Sequence, residues 1–275
     1  MHTYAYLGPA GTFTEAALLK IAGAGDLRSP YNTVTAALDA VRAGKADYAL
    51  VPIENSVEGV VARTLDELAT GEPLTIAAEV TLPVTFDLMV KAGTRDIKRI
   101  GTHPHAESQC RTYLSTHYPE AVIFPTNSTA AAAELVARGD LDGAIASSAA
   151  AANFGLEVIA ANIGDNQVAV TRFIAAQKPG NLSTSTGHDR TSLVVYIDID
   201  HAGALLEILS VFAKYDVNLT FIQSRPTGRE LGHYHFIIDV EGHINDEAVA
   251  KSMEELRELC DDIRFLGSYP REVRP

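Results

Sequence analysis

Cysteine and long apolar runs are scarce in this sequence, and each shortage excludes a class of protein. The 275 residues include two cysteines, Cys110 and Cys260, which form no CxxC pair. Two isolated thiols provide neither a disulfide framework nor a cysteine zinc site, and they suit a reducing compartment. No apolar run reaches the length of a membrane span, and residues 1–7 lack the features of a signal peptide. We therefore expect a cytoplasmic protein with no membrane partner.

Positive charge is also in short supply. The 22 Lys and Arg residues stand against 35 Asp and Glu residues, which gives a formal net charge of -13. Such a charge disfavours sequence-independent binding to nucleic acid or to an anionic membrane, so neither is expected as a partner. An anionic substrate would need a local cluster of donors that works against the overall field. The length and the 47% hydrophobic content are enough for more than one hydrophobic core.

The first two-thirds of the chain alternate short apolar strands with helices. This alternation is typical of a mostly parallel sheet covered by helices. Two extended crossings, near 74–90 and 165–176, interrupt it and separate two α/β sets. The crossings predict two lobes with a cleft between them, and such segments can act as hinges. One continuous doubly wound sheet is the alternative.

The last third of the chain has a different organisation. Residues 178–189 are rich in Gly, Ser and Thr and predict a linker. Residues 190–275 follow the order strand, helix, strand, strand, helix, strand, which is the ferredoxin-like α+β arrangement. We therefore expect a domain over 1–177 and a second domain over 190–275.

Two polar segments lie where a cleft would be. Thr171-Arg172-Phe173 ends the second crossing, and a threonine hydroxyl there could donate to a leaving group while the guanidinium clamps a carboxylate. A solvated strand edge is the alternative for this triplet. Glu54-Asn55-Ser56 follows a strand, and open α/β sheets bind ligands beyond the carboxyl ends of strands. Helix capping is the alternative for that loop.

Metal and cofactor sites are not expected. His103 and His105 open a helix that also carries Gln109 and Cys110, but no third ligand stands at a suitable spacing. Cys110 inside a helix is typical of a small core residue rather than a nucleophile. The turn at 8–11 fits neither phosphate-loop pattern.

A pair of histidines also occurs near the end of the chain. His233 and His235 share one face of a predicted strand, because side chains alternate along a strand. With no acidic or cysteine partner pattern beside them, both are predicted to be surface or interface residues.

Taken in order, these motifs resemble the successive signatures of the prephenate dehydratase family. They are the segments Tyr6–Phe13 (YLGPAGTF), Val51–Ser56 (VPIENS), Thr102-His103-Pro104 with Gln109-Cys110, and Thr171-Arg172-Phe173. The end of the chain resembles an ACT domain, in Gly203-Ala204-Leu205 and in Asn218-Leu219-Thr220 followed by Ser224-Arg225-Pro226. The resemblance implies a two-lobed catalytic domain like the type II periplasmic binding proteins, followed by a ferredoxin-like ACT domain.

The resemblance also implies a reaction and its residues. The family converts prephenate to phenylpyruvate, water and carbon dioxide in phenylalanine synthesis, without a cofactor. The catalytic threonine of the family corresponds to Thr171. The other active-site residues proposed for the family match Asn55, Thr102 and Gln109. The residues expected to bind substrate beside them are Arg172, Phe173, Ser56 and Glu54.

ACT domains of the family pair between subunits and bind phenylalanine as a feedback inhibitor. A homodimer or homotetramer is therefore expected. The residues expected at the effector site are Gly203, Ala204, Leu205, Asn218, Leu219, Thr220, Gln223, Ser224 and Arg225. Two positions depart from the family pattern, since Gln223 replaces a usual Glu and His105 stands where some members have Gln.

Three other functions fit parts of the same pattern. An arogenate dehydratase would carry out the same chemistry on the aminated substrate. A non-catalytic solute-binding protein would also have two α/β lobes, and a regulator would keep the ACT domain above a degenerate cleft. Turnover of prephenate distinguishes an enzyme from the last two.

Overall fold

The computed structural model describes residues 1–180, 182–197, 201–227 and 234–272. The helices are α1 (Phe13–Leu18), α2 (Val34–Arg42), α3 (Ala62–Thr70), α4 (Pro104–Gln109), α5 (Arg111–His117), α6 (Thr129–Arg138), α7 (Ser148–Phe154), α8 (Ala204–Lys214) and α9 (Glu247–Leu259). The first strands are β1 (Thr3–Leu7), β2 (Leu27–Tyr31), β3 (Tyr48–Asn55), β4 (Gly59–Val60), β5 (Thr75–Pro83), β6 (Asp87–Val90) and β7 (Arg99–Thr102). The later strands are β8 (Val122–Pro125), β9 (Gly143–Ala146), β10 (Glu157–Ala160), β11 (Val170–Gln177), β12 (Asp189–Tyr196), β13 (Leu219–Pro226), β14 (Tyr234–Glu241) and β15 (Asp262–Pro270). The sequence predicts the first strand of the last third over Leu193–Ile199, and its end at Ile199, like His233, lies outside the described residues.

Three sheets organise these strands. The first has the order β2-β1-β3-β11-β5, with β4 beside β3, and the second has the order β10-β6-β9-β7-β8. The third has the order β13-β14-β12-β15. The two separate sheets before residue 177 agree with the predicted pair of α/β sets and not with one continuous doubly wound sheet. The fold class is therefore α/β followed by ferredoxin-like α+β.

Contacts within the chain define two compact units. The first comprises Met1–Ala37, Leu50–Val61 and Val80–Phe173, and the second comprises Leu38–Ala49, Ala62–Glu79 and Ile174–Pro275. The second unit thus includes residues that come before the predicted linker. The predicted domain boundaries at 177 and 190 stay predictions.

Helix caps in the first unit follow the sequence signals. Thr12 caps α1 by accepting a hydrogen bond from the Glu15 N–H, and the Glu15 carboxylate accepts one from the Gly11 N–H at 2.7 Å. This is close to a capping box, the reciprocal pattern that the spacing of Thr12 and Glu15 predicts. The Tyr6 hydroxyl adds a third bond to Glu15 at 3.1 Å. The end of β1 and the start of α1 are therefore fixed to each other.

The helix predicted from His105 to Leu114 is two helices. The chain bends at Cys110, which has φ -120° and ψ 15° and separates α4 from α5. The Gln109 carbonyl accepts a hydrogen bond from the Asp165 N–H at 2.6 Å. A segment distant in sequence therefore takes a carbonyl that a continuous helix would have used internally.

In the second unit, α8 and α9 cover the third sheet with an apolar core. Leu193 and Ile238 from the strands pack with Phe212 from α8 and Met253 from α9, and all four are almost fully buried. The first strand of this sheet begins at Asp189, four residues before the predicted start. The Asp189 carboxylate accepts bonds from the Thr186 hydroxyl and N–H, which fix the end of the predicted linker to the strand.

The α3 helix in the same unit contacts the central strand β14. Arg225 binds both carboxylate oxygens of Asp66 at 2.8 Å. Arg264 donates to the Leu68 and Gly71 carbonyls at 3.0 and 2.8 Å, and the Tyr196 hydroxyl donates to the Ala69 carbonyl. These donors satisfy carbonyls at the C-terminus of α3, where helical partners are missing.

His235 on β14 corrects one prediction from the sequence. The sequence predicts a surface or interface residue, but the side chain is fully buried within the chain itself. Its ring lies 5.6 Å from the ring of Tyr196. Burial lowers the pKa of His235, and the nearby Arg225 and Arg264 act in the same direction, whereas Asp66 opposes them.

No helix in the described part of the chain combines the length and the apolar character that crossing a bilayer requires.

Candidate active site

A cavity of about 440 Å³ opens in the first unit, where the ends of several elements meet. Leu7, Asn55 and Thr171 reach it from β1, β3 and β11 of the first sheet. His103 and Gln109 reach it from α4, beside the second sheet. The cavity thus lies beyond the ends of sheet strands, where α/β proteins bind small molecules.

The cavity has one aromatic and one polar wall. Phe13 and Phe86 meet edge to face, with ring centroids 5.6 Å apart, and Phe173 lies in the same lining. A flat six-membered ring fits such an apolar wall. The polar wall contains Asn55 and Thr171.

Asn55 and Thr171 form a hydrogen bond whose direction is fixed. The Asn55 Oδ1 atom accepts from the Val57 and Glu58 N–H groups at 2.8 and 2.9 Å, so the amide nitrogen must face the other way. That nitrogen donates to the Thr171 Oγ1 atom at 2.8 Å. Because the Thr171 oxygen accepts this bond, its own O–H remains to donate to a ligand.

Gln109 is held by a residue that the sequence did not indicate. Its Nε2 atom donates to the Glu58 Oε1 atom at 3.0 Å, and both residues line the cavity. Glu58 belongs to no motif, and it follows Asn55 by three residues in a turn that the Asn55 side chain closes. An Asn whose side chain accepts from N–H groups two and three residues later is a known turn pattern. Asn55 was therefore the sequence signal that could have placed Glu58 in a turn beside the site.

Alternation along β11 separates the members of the predicted triplet. Thr171 and Phe173 line the cavity, and Arg172 between them does not. The Arg172 Nε atom instead lies 3.3 Å from the Glu54 Oε2 atom. Neither Glu54 nor Arg172 lines the cavity in this structure, and their role in substrate binding stays a prediction.

Two further predicted site residues are used inside the protein. The buried Thr102 hydroxyl donates to the Ile145 carbonyl at 2.8 Å, which ties the end of β7 to β9. The Ser56 hydroxyl accepts from the Val170 N–H at 3.0 Å, and the Ser56 N–H donates to the Val170 carbonyl at 2.9 Å. Both residues shape the walls of the cavity without lining it.

The N-terminus of α6 also reaches the cavity. Ser128 caps this helix by accepting from the Ala131 N–H at 3.0 Å, and Asn127, Ser128 and Thr129 line the cavity. The first turn of a helix presents free N–H groups and the positive end of its dipole. This is a neutral source of stabilisation for an anionic group.

The side chain of His103 caps the N-terminus of α4. The His103 Nδ1 atom accepts from the His105 N–H at 3.2 Å, so the proton of a neutral His103 ring lies on Nε2. Burial, followed by the neighbouring His105, lowers the pKa of His103, which keeps the ring neutral near pH 7. Within the described ranges, no three His, Cys, Asp or Glu residues cluster as metal ligands would.

Cys110 has the environment of a core residue. Its side chain is fully buried, and burial raises the pKa of its thiol to about 12. A thiol with that pKa is protonated at neutral pH and is a poor nucleophile.

The predicted effector residues lie in the second unit, on α8 and β13. Gly203 precedes α8 with a left-handed φ of 104°, and a Cβ there would meet nothing within 4 Å. A cavity of about 250 Å³ lies beside it and is lined by Ala204 and Glu207, but by no residue of β13.

The residues of β13 have other partners within the chain. The Thr220 hydroxyl donates to the Asp239 carbonyl at 3.3 Å, and the Gln223 amide donates to the Ser224 carbonyl at 3.0 Å. The guanidinium of Arg225 is bound to Asp66. Among the predicted effector residues, Arg225 therefore forms an ion pair in the described structure, and its partner is Asp66.

Comparisons with known proteins agree with this architecture. Residues 4–181 match the family model of prephenate dehydratase, and residues 191–258 match that of the ACT domain. A prephenate dehydratase of Mycobacterium tuberculosis H37Rv is 46% identical over 97% of this chain and 86% of its own length. The structure of prephenate dehydratase from Arthrobacter aurescens in complex with L-Phe is 50% identical, with a TM-score of 0.92 over 98% of this chain and 90% of that chain. The structure of GqqA, described as a novel type of quorum quenching acylase, is 29% identical, with a TM-score of 0.86 over 98% of both chains.

Proposed function

This chain belongs to the prephenate dehydratase family, and we propose that it converts prephenate to phenylpyruvate, water and carbon dioxide in L-phenylalanine synthesis. The observation that carries the proposal is the hydrogen bond from Asn55 to Thr171. It leaves the Thr171 O–H available as a donor in a cavity with an aromatic wall.

The chemistry of the substrate explains why such a donor matters. Prephenate carries a carboxylate and a hydroxyl on opposite carbons of a cyclohexadiene ring. The electrons of the C–CO₂ bond move into the ring as the C–OH bond breaks, and the ring becomes aromatic. The barrier is the departure of hydroxide, a poor leaving group near neutral pH. Threonine is a very weak acid, so Thr171 stabilises the departing oxygen by a hydrogen bond rather than by full protonation.

The charges around the cavity suit the loss of a carboxylate. A cation on the departing group would hold its electrons in place and would oppose decarboxylation. Among the described residues that line the cavity there is no Lys or Arg. The His103 ring and the N-terminus of α6 supply neutral donors instead, and the Gln109 amide orients the ring.

An acylase activity like that of GqqA is the alternative that this fold raises. Amide hydrolysis needs a nucleophile that an adjacent base activates. The group bonded to the Thr171 hydroxyl is the Asn55 amide, which is not a base, and the Cys110 thiol is protonated. The geometry therefore favours elimination over acyl transfer.

The test is incubation of the purified protein with prephenate while the absorbance of phenylpyruvate is followed. We expect turnover that survives exhaustive treatment with a chelator, because neutral side chains carry the proposed chemistry. Activity that is lost on chelation and restored by a divalent cation would contradict the cofactor-free mechanism. Hydrolysis of an acylated quorum-sensing signal without turnover of prephenate would overturn the proposal.

Regulation belongs to the same proposal. Residues 190–275 act as an ACT domain that binds L-phenylalanine and inhibits the catalytic domain over 1–177, with 178–189 as the linker. Pairing of two ACT domains gives a homodimer or a homotetramer in the cytoplasm. Ile222 on the edge strand β13 is 42% exposed, and a second copy could cover this edge.

Gly203 provides a test of that regulation. Gly203→Val adds a side chain in the open space before α8, where the carboxylate of phenylalanine could approach the helix N–H groups. We expect the phenylalanine concentration for half inhibition to rise at least about tenfold, the effect of losing about 1.4 kcal/mol of binding. Phenylalanine titrations of the initial rate measure it.

The matched control is Gly187→Val. Gly187 also has a positive φ, of 77°, and open space around it, so this variant carries the same kind of backbone strain away from α8. It should keep the inhibition of the parent protein. Equal loss of inhibition in both variants would indicate strain alone and would contradict the effector site at Gly203.

A further inference from the structure

We propose that Glu58 determines how this cavity discriminates between the keto and amino forms of its substrate. Its carboxylate disfavours prephenate relative to arogenate, in which an ammonium replaces the keto oxygen, so the chain turns over both. The proposal rests on the dehydratase function proposed above and names a residue that controls its specificity.

The position of Glu58 is set by the residues that define the site. The Asn55 side chain fixes its N–H group at 2.9 Å, and Gln109 fixes its carboxylate at 3.0 Å. Asn55 also donates to Thr171, so Glu58 belongs to the same hydrogen-bonded group as the proposed catalytic hydroxyl. Any ligand that contacts Thr171 or Gln109 is therefore close to this carboxylate.

The described lining contains no permanently charged cationic side chain that would balance the charge of Glu58. The cavity contains no Lys or Arg among the described residues, and Arg172 faces Glu54 instead. His103 is kept neutral by burial. A charge in the cavity therefore interacts with Glu58 without a Lys or Arg in the described lining to compensate it.

The two substrates differ in net charge, and the repulsion by the Glu58 carboxylate depends on that charge. Prephenate carries two carboxylates, and arogenate carries the same two with an added ammonium. A cavity of about 440 Å³ keeps every group of the ligand within about 10 Å of the carboxylate, a distance at which unit charges still interact appreciably. Glu58 thus repels the dianion more than the monoanion, whichever way the ligand is oriented. Because Glu58 is exposed to water, we expect the discrimination to be about tenfold rather than larger.

The experiment compares kcat/KM for arogenate and prephenate in the full-length protein and in Glu58→Gln. The glutamine oxygen still accepts from Gln109, so the change removes charge and keeps the hydrogen bond. In Glu58→Gln we expect kcat/KM for prephenate to rise. The ratio of kcat/KM for arogenate to kcat/KM for prephenate should then fall about tenfold. Glu58→Asp, which restores the charge, should restore most of the ratio.

The control is Glu107→Gln, which removes the same charge from α4 without touching the cavity lining. Its ratio should stay within about twofold of the parent value. The parent ratio should also decrease as salt rises from about 0.05 to 0.5 M, because added ions screen the carboxylate. This measurement does not depend on the folding of any variant.

Three outcomes overturn the proposal: an unchanged ratio in Glu58→Gln, a ratio insensitive to salt, or no turnover of arogenate by the parent protein. Each of these leaves the dehydratase function intact if prephenate is consumed. Failure of the parent protein to consume prephenate is a separate result, and it refutes the proposed function itself.

Discussion

Thr171→Ala should fold normally and lose about 10²–10⁴-fold in kcat, the usual cost of removing a positioned acid or a hydrogen bond to a developing oxyanion. The reason is geometric: the Thr171 O–H is the group that Asn55 leaves free to donate into the cavity. Thr171→Ser should retain part of the rate, because it keeps the hydroxyl and loses the methyl group that restricts its rotation. Single-turnover rates with prephenate measure the effect on the chemical step.

Asn55→Asp tests the direction of the hydrogen bond. The aspartate has nearly the shape of asparagine but cannot donate, so the Thr171 O–H would turn to donate to the carboxylate. We expect a loss of rate comparable to that of Thr171→Ala, with Thr102→Ser, which keeps its bond to Ile145, as the control of near-parent activity. Normal kcat in Thr171→Ala would refute the role of this hydroxyl.

The sequence predicts the elements and their order well, because each depends on short-range patterns. The apolar alternation indicates the strands. Residues such as Thr12 and Ser128 mark the starts of helices, and in the structure both are N-caps. The ferredoxin-like order of the last third also follows from local patterns. The short strands β2 and β4 give no such signal, since β2 is exposed and β4 is two residues long.

The geometry of the cavity needs contacts that no local pattern contains. Asn55 and Thr171 are 116 residues apart, and the family resemblance implies that both belong to one active site without indicating their hydrogen bond. Strand alternation alone would have placed Thr171 and Phe173 on one face of β11 and Arg172 on the other. The same rule places His235 on one face of β14, but it does not show that α3, a helix far away in the sequence, contacts this strand.

Asp66→Asn should leave the uninhibited rate within about threefold and remove most of the inhibition by phenylalanine. Resemblance places Arg225 in the effector segment, yet its guanidinium binds both oxygens of Asp66 on α3 at 2.8 Å. Val61, the residue that directly precedes α3 in the sequence, lines the cavity. An effector can inhibit only if it favours one of two conformations, and we expect the ion pair between β13 and α3 to differ between them.

A matched control lies one residue along the same helix. Glu67 binds Arg42 at 2.7 Å, so Glu67→Gln changes the charge of α3 and keeps the ion pair between Asp66 and Arg225 on β13. Phenylalanine titrations of the rate should show parent-like inhibition in Glu67→Gln and a response at least about fivefold weaker in Asp66→Asn, the lower end of typical coupling between sites. Calorimetry should show that Asp66→Asn still binds phenylalanine, because the variant removes the coupling and not the ligand contacts. Full inhibition in Asp66→Asn would exclude this ion pair as the link, and the signal would then depend on the contacts of Arg264 and Tyr196 with the end of α3.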